Sequence, residues 1–172
     1  GIVFVCYFTK FVKIEVVEDI SAPTLLEVVL SVFRQYGWPK HVRSDNGTNF
    51  VKVKKMLSDF GRFQHSLDWT FSSPYAPHQN GIAERSIRDI KPLLGVADRK
   101  YKSLIQLHRF FKKVESVLNC RPIIRDEKNV SSFELVFRRS PFKILEDCYA
   151  ADDHCFKQWV HLWKSQYLND LK

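Results

Sequence analysis

The apolar residues of this chain change period as it proceeds, and that change limits what it can fold into. Over residues 11–18 they alternate, with Val12, Ile14 and Val16 on one side and Phe11, Lys13 and Glu15 on the other, the period of a half-buried strand. From Leu25 they recur at helical spacing, through Leu26, Val29, Val32 and Phe33 up to Gly37. Ser21 is placed to cap that helix, with Pro23 in its first turn. Residues 2–8 read as a strand joined to the next by a tight turn near Thr9-Lys10. Residues 41–44 form a short strand. Val53, Met56, Leu57 and Phe60 form a helical stripe closed by Gly61, and residues 67–71 form another strand. A helix starts near Asn80, with Ala83, Ile87, Ile90 and Leu94 as its expected buried stripe; Pro92 is expected to kink or end it. Leu104, Leu107, Phe111, Val114, Val117 and Leu118 mark a last helix over residues 101–118. The order β-β-α-β-α-β-α predicts a mixed α/β sheet with flanking helices.

Charge narrows the partners. Twenty-seven Lys and Arg against 19 Asp and Glu leave a net charge of +8, which favours an anionic partner such as nucleic acid. The first eight residues are apolar but too few to span a bilayer, so no membrane association is expected. Cys6, Cys120, Cys148 and Cys155 include no C-x-x-C pair and read as reduced thiols of an intracellular protein. Cys148, His154, Cys155 and His161 cluster, but their spacing fits no standard zinc finger.

Two carboxylates stand in unusual settings. Asp45 lies in Ser44-Asp45-Asn46-Gly47-Thr48-Asn49-Phe50, at the end of a short strand. Alone it reads first as a turn residue, because Asn and Gly tolerate turn conformations, and only second as a functional acid. Glu84 lies on the first turn of a helix, where any acid is favoured by the helix dipole. Arg88 and Lys91 follow Glu84 at i+4 and i+7, so one edge of the helix presents an acid and then two cations. That edge reads either as a solvated face or as a metal-binding acid beside cations that grip a phosphate backbone. The loop before it, with Tyr75, His78, Gln79 and Asn80 between Pro74 and Gly81, is suited to gripping a substrate strand.

The Ser44–Phe50 segment and the Pro74–Arg85 segment resemble the second and third acidic motifs of the retroviral and LTR-retrotransposon integrase core. The likeness continues in Phe8-Thr9-Lys10, Gly37-Trp38-Pro39-Lys40, Asn119-Cys120-Arg121-Pro122, Phe133-Glu134-Leu135-Val136-Phe137 and Trp163-Lys164-Ser165-Gln166-Tyr167-Leu168, and is nearest to the BEL/Pao group. The resemblance implies an RNase H-like fold, with residues 1–120 as the catalytic core and 121–172 as its C-terminal extension. It implies a polynucleotidyl transferase that trims the 3′ ends of element DNA and joins them to target DNA. Three acids would hold two Mg²⁺ (or Mn²⁺) ions, with Asp45 as the second acid and Glu84 as the third. Tyr75, Asn80, Arg88 and Lys91 match positions that contact DNA. Homo-oligomers, DNA as partner, synthesis within a polyprotein and a nuclear site of action follow from the same likeness.

The resemblance also marks a gap. The family's first Asp lies on a strand upstream of residues 2–8, and no residue here replaces it by motif. That strand is central in an RNase H-like sheet, between the strands at 2–8 and 41–44. Residues 1–172 are therefore expected to be a fragment, inactive or nearly so. The alternatives are a decayed or domesticated element protein that binds DNA without cutting it, and a different RNase H-like nuclease.

Overall fold

The computed structural model describes residues 1–59, 67–73, 81–101, 103–124, 129–140 and 161. Its elements are β1 (Ile2–Val5), β2 (Val12–Glu15), α1 (Ala22–Tyr36), β3 (His41–Ser44), α2 (Thr48–Asp59), β4 (Asp68–Phe71), α3 (Gly81–Lys100), α4 (Leu104–Asn119), β5 (Pro122–Ile124), β6 (Val130–Ser131) and α5 (Ser132–Phe137). The expected order of strands and helices is reproduced. Phe60, Gly61, Tyr75, Asn80 and the Trp163–Leu168 stretch lie outside the described residues. Two compact units form, one from residues 17–84 with Gly1, the other from residues 2–16 with 85–172.

In the first unit α1 buries Leu25, Leu26, Val29, Val32 and Phe33, the stripe its periodicity predicts, and packs on α2. Val53 and Leu57 are the buried residues of α2. Ser21 precedes α1 in an extended conformation, and its hydroxyl meets that of Thr24 at 3.0 Å. Gly37 ends α1 at φ 91°, a conformation in which a β-carbon is strained. That turn sets Trp38 edge-on against Phe33, at 5.2 Å between ring centroids. β3 pairs in parallel with β4, from His41 opposite Asp68 to Ser44 opposite Phe71.

In the second unit β1 and β2 form an antiparallel hairpin, with Val5 opposite Val12. Both strands are shorter than expected. The Phe8-Thr9-Lys10 segment belongs to the turn, which leaves Tyr7 81% and Phe8 86% exposed. One core joins Val12 and Ile14 to Ile90, Leu93 and Ala97 of α3 and Phe110, Phe111, Val114, Val117 and Leu118 of α4. Burying each of the larger side chains is worth roughly 1.5–3 kcal/mol.

Side chains of α4 close the outer edge of β2. Asn119 accepts from the Val12 amide through Oδ1 and donates to the Val12 carbonyl through Nδ2, each at 2.7 Å. Glu115 accepts from the Ile14 amide at 2.7 Å, and Lys112 donates to the Ile14 carbonyl at 3.0 Å. Three residues at i, i+3 and i+7 thus satisfy backbone groups that a neighbouring strand would otherwise pair. Lys13 lies 3.2 Å from Glu15 and 3.9 Å from Glu115. Burial pushes its ammonium pKa down, but hydrogen bonding and these two carboxylates outweigh burial and hold it above the ordinary lysine value. A raised lysine pKa stabilises at neutral pH and loses that contribution only as pH rises through the folded value.

Three expectations are corrected. Pro92 lies inside α3 and does not end it; its ring is exposed to solvent. The buried stripe of α3 is Ser86, Ile90, Leu93 and Ala97, while Ile87 is 47% and Leu94 52% exposed. The sequence offers two overlapping apolar rows, and the contact with Phe110, Phe111 and Val114 selects the one through Leu93. Leu104 is likewise partly exposed, at 39%, because it lies at the first position of α4. Among the described residues β1 pairs only with β2 and β3 only with β4, in separate two-stranded sheets.

Candidate active site

Asp45 is exposed immediately after β3, and each neighbour in its motif has a physical task. Its Oδ1 accepts the Gly47 amide at 3.0 Å, an Asx turn. A β-carbon on Gly47 would come within 2.9 Å of that oxygen, so a side chain there would displace the Asp45 carboxylate from this bond. The Gly47 carbonyl accepts from Val51 at 3.2 Å as α2 begins. The Asn49 amide donates to the Ile20 carbonyl at 2.6 Å, tying the start of α2 to the segment before α1. Phe50 rests near the buried Trp69, whose indole donates to the Ser44 hydroxyl at 3.1 Å. The Ser44 carbonyl accepts from the Ser72 amide at 2.8 Å. The residues around Asp45 are therefore fixed from three sides, while its carboxylate is open to solvent.

Glu84 is exposed on the first turn of α3. Arg88 and Lys91 are exposed on the same face, and Ile87 and Leu94 share it. Asp45 and Glu84 both belong to the first unit; Arg88 and Lys91 belong to the second. Tyr75 and Asn80 lie outside the described residues. Among the described residues no group of three or more His, Cys, Asp or Glu side chains comes together to hold a metal ion. Two exposed carboxylates are hard oxygen donors of the kind Mg²⁺ and Mn²⁺ prefer, so the donors present fit part of such a site.

The Asn119-Cys120-Arg121-Pro122 element does structural work that sequence reading did not assign. Asn119 closes the edge of β2, and the Arg121 guanidinium lies 3.3 Å from the Asp89 carboxylate, both side chains largely buried. That pair ties α3, which carries Glu84, to the end of α4. Ser131 and Glu134 form a capping box at the start of α5: the Ser131 hydroxyl accepts from the Glu134 amide while the Glu134 carboxylate accepts from the Ser131 amide.

Comparison with solved structures identifies the architecture. The HTLV-2 integrase catalytic core domain, in complex with magnesium in a trimeric form, superposes with TM-score 0.54 and 17% identity over 78% of this chain and 82% of that one. The catalytic core domain of BIV integrase gives TM-score 0.56 and 20% identity, covering 79% of this chain and 84% of that one. The integrase in a simian T-cell lymphotropic virus intasome bound to PP2A regulatory subunit B56 gamma gives TM-score 0.59 and 17% identity, over 78% of this chain and 47% of that one. The chain has the RNase H-like fold of a retroviral integrase catalytic core. No family model matches it. A protein from Caenorhabditis elegans, the uncharacterized protein K02A2.6, is 29% identical over 85 residues, which are 48% of this chain and 6% of that protein.

Proposed function

We propose that residues 1–172 belong to an LTR-retrotransposon integrase, nearest to the BEL/Pao group, that processes and joins DNA ends in the nucleus, with residues 1–120 in its catalytic core and 121–172 in a C-terminal extension of it. The observation that carries this reading is Asp45, held by an Asx turn at the exposed end of β3 in a chain whose fold is that of integrase cores. The magnesium in the HTLV-2 core supports a divalent ion as cofactor. Asp45 and Glu84 would hold the ions, with a third carboxylate from chain outside residues 1–172. Bound there, Mg²⁺ or Mn²⁺ supplies charge stabilisation at the attacked phosphodiester and a more nucleophilic attacking oxygen.

The chain's own part is binding and positioning. Arg88 and Lys91, exposed on the Glu84 face of α3, neutralise backbone phosphates and place the scissile group. Tyr75 and Asn80, in the loop before α3, contact the DNA end. The trimeric and intasome-bound neighbours support self-association around DNA.

A strand-transfer assay with Mg²⁺ tests the reading. Residues 1–172 alone should join no more than a trace of product, because one acid is missing. A chain that also carries the upstream acid should join efficiently, and Asp45→Asn or Glu84→Gln should each abolish joining. Efficient joining by either variant would sink the assignment of that residue.

A further inference from the structure

The net charge of the chain is unevenly distributed. Residues 17–84 carry seven Lys and Arg against seven Asp and Glu, whereas residues 2–16 with 85–172 carry 20 against 12. The whole excess of +8 thus lies in the second unit. Within it, residues 85–113, spanning α3 and the first half of α4, hold nine cations and two acids. One of those acids, Asp89, is engaged with Arg121.

The cations of α4 divide into two sets. Lys112 is committed inward: it meets the Ile14 carbonyl, Glu15 and Glu115 within 3.4 Å. Arg109 and Lys113 are not. They stand at i and i+4, Arg109 exposed and Lys113 half-buried, beside exposed Ile105 and Gln106. Neither has a carboxylate partner among the described residues. Like charges one turn apart repel, and among the described residues no acid relieves them. Such a pair is stabilised by an external anion, and two cations one turn apart on a helix suit successive backbone phosphates.

We propose that the Ile105–Gln106–Arg109–Lys113 face of α4 is a second phosphate-backbone contact for duplex nucleic acid, beyond the Arg88–Lys91 contact on α3. The proposal rests on the integrase reading for its choice of nucleic acid over an acidic protein, and it adds a surface which that reading does not use. The α4 face carries no acid to hold a metal, so it grips DNA without taking part in chemistry.

Binding of the 172-residue chain to a short duplex of arbitrary sequence, followed by fluorescence anisotropy over a range of salt concentrations, tests it. Each cation that touches a phosphate contributes about 0.9 to the slope of log K against log salt. R109A/K113A should lower that slope by close to two and weaken binding at low salt to all sequences alike. R88A/K91A should do the same, and the quadruple variant should show the sum. R109K/K113R, which keeps both charges, should retain the full slope, and circular dichroism should show native folding in every variant. A wild-type slope in folded R109A/K113A, with a reduced one in R88A/K91A, overturns the α4 contact and leaves the proposed function standing. Absence of duplex binding by the unsubstituted chain overturns both. Loss of binding to polyglutamate with an unchanged duplex slope assigns the face to an acidic protein and overturns the proposal.

Discussion

Asn119 makes two hydrogen bonds to one backbone unit, the amide and carbonyl of Val12, at a site where it is 1% exposed. Removing the side chain leaves two buried backbone groups unpaired, each costing about 1–3 kcal/mol. Asn119→Ala should therefore lower the unfolding free energy by about 2–4 kcal/mol, read from urea titration; a loss below about 0.5 kcal/mol would show that the edge of β2 is satisfied in another way. Cys6 illustrates a different local balance. Burial pushes its thiol pKa up, but the Thr9 side chain, the Thr9 and Phe8 amides and the Lys10 ammonium outweigh it and leave the pKa below the ordinary value. The Thr9 amide donates to Sγ at 3.4 Å. With the folded pKa depressed, this interaction stabilises above the unfolded value and is lost as pH falls through the folded one. Peptide mapping after pulse alkylation should show Cys6 modified faster than Cys120 near neutral pH, with a half-maximal rate at a pH below the usual thiol value of about 8.5. Equal rates at both cysteines would contradict this. Gly47→Ala should displace the Asp45 carboxylate, because the new β-carbon would meet Oδ1 at 2.9 Å. The exposed side chain can swing away, so stability should fall by no more than about 1 kcal/mol, the worth of the Asx bond.

Helix α3 shows how far its sequence could be read. Its start and the exposed Glu84, Arg88 and Lys91 edge follow from local chemistry. The orientation of its core face does not, because Ile87, Ile90 and Leu94 make as good a stripe as Ile90, Leu93 and Ala97. The tertiary core that Ile90, Leu93 and Ala97 share with α4 and β2 decides between them. The same holds for Pro92: proline stops an isolated helix, but here the core on both sides of it holds the helix through. Proline in a helix interior costs about 3 kcal/mol, and Pro92 is exposed. Pro92→Ala should raise the unfolding free energy by about 1–3 kcal/mol without altering the α3 core; an unchanged or lower thermal midpoint would show that the proline conformation is required. The motif around Asp45 was legible as a turn leading into a helix. Its anchoring by Ile20 and Trp69 was not, since those partners lie 29 and 25 residues from Asn49 and Ser44.

At the scale of the molecule, one fold carries two separate chemical endowments. The first unit is neutral overall and presents Asp45 at the end of β3; the second holds the entire positive excess. An enzyme on DNA needs both, acids for metal and cations for phosphate. An integrase core needs Asp45 and Glu84 at one metal site. Mn²⁺ titration of the 172-residue chain followed by amide NMR tests this directly, because the bound ion broadens signals near it. Selective broadening should appear at Asn46, Gly47 and Thr48 and at Ala83 and Arg85 over the same range of added metal. Asp45→Asn should remove both sets together, as should Glu84→Gln. Broadening at one carboxylate that survives loss of the other, or none at either, would contradict a shared site.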